Sequence, residues 1–138
     1  MTSLFKQAGC WFAHSGIQEA GGGVARYYRS DLDRNAPISS EITGYAVSAL
    51  AWLHSLDQSA GYCNAAIRAA RYLTDEAWDR ASDTLAFEHG SAHAYFFDLG
   101  IVARGLMAAW RLSGDEHFRE RAHQATLSLA FDFLGDGV

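Results

Sequence analysis

The chain predicts an all-α fold, an array of antiparallel helical hairpins, on three observations. A hairpin is written twice, 56 residues apart: Gly44, Leu50, Leu56, Ala66, Ala69 and Leu73 recur as Gly100, Leu106, Leu112, Ala122, Ala125 and Leu129, and Tyr62 returns as Phe118. Each copy pairs an almost wholly apolar segment with an amphipathic one. The turns inside the copies are tight, whereas the connections ahead of them are long.

Taken in order, the first element is an outer-type helix at about 3–14. Shifting the repeat back by 56 residues sets Cys10 under Ala66 and Ala13 under Ala69. A polar loop follows, at about 15–38. Segment 39–57 carries Ile42, Tyr45, Ala46, Ala49, Leu50 and Leu53 at helical spacing, with Val47, Ala51 and Trp52 on the other side. A helix apolar all round has to be surrounded. Segment 62–78 instead sets an Ala66, Ala69, Leu73, Ala77 stripe against Arg68, Arg71, Asp75 and Glu76, so it has a wet face. After a second long loop at 79–96 the contrast repeats, apolar over 97–112 and amphipathic over 116–134. The expectation is one domain, 1–138, with full hairpins at about 39–78 and 97–134, inner apolar helices packed within outer amphipathic ones, and no place for strands.

Bulk properties narrow the partners. At 138 residues and 49% hydrophobic content the chain is globular, and a net charge of -5 with scattered arginines excludes a surface that tracks nucleic-acid phosphates. No apolar run reaches the roughly 18 residues of a membrane span, and Lys6, Gln7 and Gly9 interrupt any secretory leader, so a cytoplasmic location is expected. Cys10 and Cys63 are expected to be small buried hydrophobes, and Trp52, Trp78 and Trp110 core residues, while Trp11 suits either the core or a ligand.

Both long loops fall at one end of such an array, beside the N-termini of the inner helices, where the helix dipole favours oxygen-rich groups. The first loop gathers Arg26, Tyr27, Tyr28, Arg29 and Arg34. Rings stack on the apolar face of a sugar and guanidinium groups bind its hydroxyls or a carboxylate substituent; the alternative is a loop tied down by its own Arg–Asp pairs. Gly21, Gly22 and Gly23 lack the strand and the Lys-Ser/Thr of a phosphate loop. Glu41 and Asp98 open the two inner helices and Glu88 lies in the second loop; paired carboxylates at one mouth serve as acid and base on a glycosidic bond, although acids are also common in any first helical turn. His89 and His93 complete the polar lining, and Tyr95 is a further stacking platform. Glu88 lies outside the His89/His93 pair and Gly90 interrupts a helix there, so no metal and no cofactor is expected.

The run Glu41-Ile42-Thr43-Gly44-Tyr45, with Ala49, Leu50 and Leu53, then Tyr62 leading into Ala66, Ala69 and Leu73, resembles the six-hairpin glycosidase-like superfamily, and Arg111-Leu112-Ser113-Gly114-Asp115 before Phe118 resembles a second hairpin of that kind. The resemblance implies an (α/α) toroid related to glycoside hydrolases, sugar epimerases and uronate-processing enzymes, with substrate in the mouth formed by the long loops. A full toroid has six hairpins and this chain holds about two and a half. The expectation is therefore a carbohydrate-active or carbohydrate-binding domain, partial or self-assembling into a homo-oligomer through its open ends, with a saccharide or uronate ligand. Any turnover would be of the glycoside hydrolase or sugar epimerase kind. The alternative is a non-enzymatic helical-repeat module for protein interaction.

Overall fold

The computed structural model describes residues 3–88, 90–91 and 93–133, and among them the chain is mainly helical with two small antiparallel sheets. Helix α1 is Ser3–His14, α2 is Ser40–Asp57, α3 is Ala60–Arg71, α4 is Phe96–Ser113 and α5 is Glu116–Phe133. Sheets are formed by β1 (Tyr28–Arg29) with β2 (Arg34–Asn35) and by β3 (Trp78–Asp79) with β4 (Thr84–Leu85). No helix among the described residues is long and apolar enough to cross a membrane.

The hairpins close as the repeat predicts. Gln58 and Gly114, 56 residues apart, both take left-handed backbone at the C-caps of α2 and α4, each donating its N–H to a helix carbonyl at 2.7 Å. Ser39 caps α2 by accepting from the Ile42 N–H at 3.3 Å. The expected helix at 62–78 starts earlier, at Ala60, and widens into a π-helical turn at Tyr72–Glu76, closed by the Ala77 N–H on the Tyr72 carbonyl at 2.9 Å. Tyr72, Leu73 and Thr74 are all buried there, and the wider turn seats three consecutive side chains that an amphipathic α-turn would not.

Helices α2 and α4 run in the same direction and meet at backbone distance. A Cβ on Gly105 would lie 2.6 Å from the Gly44 carbonyl oxygen, and one on Gly44 would lie 3.1 Å from Val102 Cα. Two glycines thus replace a layer of side chains at the crossing. Val47, Leu99, Val102, Leu106 and Phe118 bury the core behind it, with Leu73, Trp78 and Leu85 closing one end. A second cluster, Ile17, Val24, Ala25, Leu50 and Ala66, lies under the first loop. That loop is bound down by the Val24 N–H on Thr43 Oγ1 at 2.9 Å, and Gly22, at φ 97°, abuts the Arg68 carbonyl.

Three expectations are corrected. The inner helix α2 is not surrounded, because Tyr45, Trp52 (47% exposed) and Leu56 face outward, and the Phe5 ring covers Trp52 only edge-on at 5.1 Å. Cys10 is exposed and Cys63 half-buried, since α1 covers α3 by one narrow face only. Strands do have a place: the two β-hairpins are themselves a repeat, at an offset of 50 residues instead of 56. In each, an aromatic side chain donates to an aspartate five residues on that holds left-handed backbone, Tyr28 to Asp33 and Trp78 to Asp83, the latter at 3.1 Å. The Trp78 indole is buried and the Tyr28 phenol is not. Asp83→Gly, which keeps the backbone free to hold its positive φ but orphans the indole N–H, is therefore expected to lower stability by about 1–2 kcal/mol, whereas Asp33→Gly changes it by only a few tenths of a kcal/mol; chemical denaturation of the two variants checks the ranking.

The far side of the second hairpin is wetter than its counterpart in the first. Val47, Ile67 and Ala70, which face α4, correspond by the 56-residue repeat to Ala103, His123 and Thr126, of which the last two are exposed.

Candidate functional site

The start of the second connection, residues 86–88, folds back over the start of α2. Ser40 donates its N–H to the Phe87 carbonyl at 2.9 Å and its hydroxyl to the Ala86 carbonyl at 2.7 Å, and Ser39 bridges Glu88 in antiparallel fashion. The Phe87 N–H in turn reaches the His93 carbonyl at 2.9 Å. These bonds satisfy backbone groups that a helix start leaves open and bring Glu88 beside the first loop. There Arg26 Nη2 lies 3.2 Å from Glu88 Oε2 while its guanidinium covers the Phe87 ring at 5.2 Å, and Phe87 meets Tyr95 edge-on at 5.2 Å. One arginine thus joins both long loops to the N-terminal end of the helix pair.

Glu41 and Asp98 stand in the first turns of α2 and α4. The proton affinity of Asp98 is raised above the ordinary carboxylate range, first by partial burial and then by the negative charge of Glu41, with Arg26 pulling the other way. Three carboxylates and one guanidinium already paired to Glu88 therefore share this end, and holding the proton on Asp98 relieves part of the repulsion. Carboxyl groups whose environments differ in this way can divide the roles of acid and base.

Next to Glu88 is a polar cavity of about 310 Å³, walled by the π-helical turn, the β3–β4 hairpin and the second connection. Tyr72, Glu76, Trp78, Asp79, Ser82 and Thr84 line it, and among the described residues no lysine or arginine does. Asp79 is held below the usual carboxylate range by the Ser82 hydroxyl at 2.5 Å and the Ala81 N–H. None of these six residues belongs to the sequence-based candidates. The offset-50 repeat, which aligns Tyr28-Arg29-Ser30-Asp31-Leu32-Asp33 with Trp78-Asp79-Arg80-Ala81-Ser82-Asp83, reaches three of the six, Trp78, Asp79 and Ser82, through a shared leading aromatic and final aspartate; no sequence signal marks Tyr72, Glu76 or Thr84.

Other candidates lie apart from the carboxylates. Tyr28 donates to Asp33, and Arg29 pairs with Asp31 at 2.6 Å, which holds that carboxylate below its ordinary range. Arg34 and Arg29 line a separate depression of about 640 Å³ with Glu19 and Asn35. Tyr27 is exposed, its backbone carbonyl accepting from the Ala36 N–H at 2.8 Å. His93 is exposed and contributes its backbone to the Phe87 bond, Tyr95 is half-exposed on Phe87, and His89 lies outside the described residues. Among the described residues no three His, Cys, Asp or Glu side chains are placed to hold a metal ion. No family model, characterised protein or solved structure matches the chain.

Proposed function

We propose that Glu41, Glu88, Asp98 and Arg26 form a saccharide-binding, acid–base site on a partial (α/α) toroid. The observation that carries this reading is the raised proton affinity of Asp98 beside Glu41, at a mouth that also holds the Arg26–Glu88 pair. Asp98 is then the proton donor to a glycosidic or ring oxygen, and Glu41 or Glu88 the second carboxyl group of the pair. Tyr95, exposed beside Phe87, supplies a ring for a sugar, and the adjacent cavity offers hydroxyl and carboxylate acceptors for its OH groups. The toroid part of the reading is supported by the parallel packing of α2 and α4, the tight turns at their far ends, and α3 and α5 returning outside them.

Titration of isotope-labelled protein with neutral mono- and disaccharides and with uronates, followed by amide NMR, tests the site. Shifts are expected to concentrate around residues 26, 41, 88 and 98, and Arg26→Ala is expected to weaken binding about tenfold, the loss of one charge-assisted contact. Saccharides at millimolar concentration that move none of these amides overturn the reading. Association of copies through the ends of the array belongs to the same proposal and is read from molar mass in solution, where an assembly larger than the monomer is expected.

A protein-interaction role is the second reading. It is favoured by one observation, the exposure of Tyr45, Trp52 and Leu56 along a helix otherwise built for burial.

A further inference from the structure

The outward faces of α2 and α4 carry a shallow, open groove that the carboxylate site does not use. It comprises a depression of about 450 Å³ near Tyr45 and Arg104 and a second of about 450 Å³ reaching Gln58 and Leu112, the two sharing Ser48, Trp52, Ala108 and Arg111. Its floor is made of small residues, Ser48, Ala49 and Ala108. Trp52 rises on one side and Arg111 on the other, with Tyr45 and Arg104 toward the N-terminal end.

The charge in this groove is of one sign. None of its lining residues is an aspartate or glutamate, although the chain carries 16 acidic residues and a net charge of -5. Arg104 lies over the Tyr45 ring at 5.1 Å, and among the described residues neither Arg104 nor Arg111 forms an ion pair. Seven residues apart on one helix, the two guanidinium groups lie on one face about 10 Å apart along the axis.

A trough between two helices, floored by small side chains and flanked by Trp, Tyr and Arg, is suited to a third helix. Tyr45 to Gln58 spans about 20 Å of α2, so a helix of about four turns fills it. We infer that the groove docks an acidic amphipathic helix of a partner protein. Two carboxylates two turns apart on that helix meet Arg104 and Arg111, and an apolar side chain between them rests on Ala49 and Ala108 beside Trp52.

The test is fluorescence anisotropy with a labelled amphipathic peptide of about 18 residues, bearing leucines at helical spacing and two glutamates seven positions apart. Saturable binding that weakens as salt is raised is expected. Both Arg104→Glu/Arg111→Glu and Trp52→Ala should weaken it about tenfold or more. A peptide with lysines in place of the two glutamates should regain affinity for the doubly charge-reversed protein. These side chains are exposed, and far-UV circular dichroism verifies that each variant stays folded. The inference is overturned if the wild type shows no saturable binding, if charge reversal leaves affinity unchanged, or if an oligoglutamate without leucines binds equally well. It is also overturned if light scattering finds a dimer that charge reversal dissociates, because the occupant is then a second copy of this chain.

Discussion

Gly105→Val is expected to lower the unfolding free energy by about 3 kcal/mol, the upper range for forcing atoms into a packed contact. The reason is the absence of space between α2 and α4. A Cβ at this position already falls 2.6 Å from a backbone oxygen and 3.1 Å from the Gly44 Cα, and valine adds two methyls. Backbone atoms have no rotamer to escape into, so the helices must separate and loosen Val47, Val102 and Leu106 behind them. The gain from replacing a helical glycine is about 0.5 kcal/mol and does not offset this. Gly100→Ala is the matched control. It is the repeat equivalent of Gly44, yet nothing lies within 4 Å of its added Cβ, so the helix-propensity gain acts alone and raises stability by up to about 1 kcal/mol. Urea unfolding of the two variants beside the wild type measures both effects. Equal changes of the same sign would mean that the inner helices do not meet through their glycines.

The contrast between these glycines marks what the sequence conveys and what it withholds. The 56-residue period is legible because helix packing repeats its demands, a small residue at the crossing and Leu50 or Leu106 in the core. Which copy has a neighbour is not legible. Gly44 and Gly100 read alike and differ only in whether another helix arrives, just as Trp52 reads as a core residue and stands half-exposed. The β-hairpins escape notice because their strands are two residues long and their turns use aspartate in left-handed backbone instead of Asn-Gly. Four residues separate β2 from α2, whereas ten separate β4 from α4, so the second copy carries six extra residues that break the register between the two kinds of repeat.

Those extra residues also explain the uneven legibility of the site. Glu41 and Asp98 are visible as first-turn acids, and the loops that join them hold Arg26 and Glu88, but no local pattern announces that 86–88 lies along the start of α2. Arg29 and Tyr28 look equally suited to a ligand, yet each finds an aspartate inside its own hairpin. Short-range partners cost little chain entropy to bring together, so they win unless the fold supplies something better.

Asp98→Asn is the change expected to separate function from stability most widely. Under the saccharide reading it removes the proton donor, and any turnover should fall about 10²–10⁴-fold. Stability should move the other way. A carboxyl whose folded proton affinity exceeds its unfolded one binds more protons in the native state, so the wild type loses stability as pH rises from the ordinary carboxylate value of 3.8 through the raised folded value. Asparagine has no proton to lose, and its removal also spares Glu41 a like charge. The variant should therefore match the wild type below that window, gain on it across the window, and hold a constant advantage at neutral pH. Denaturation midpoints at closely spaced pH values read the difference directly. Glu41→Gln shifts the same curve, because it removes the second cause of the raised affinity and leaves burial alone, so the wild-type loss should then finish at lower pH. If instead the wild type and Asp98→Asn run parallel from acid to neutral pH, Asp98 is an ordinary surface carboxylate and the acid role falls with it.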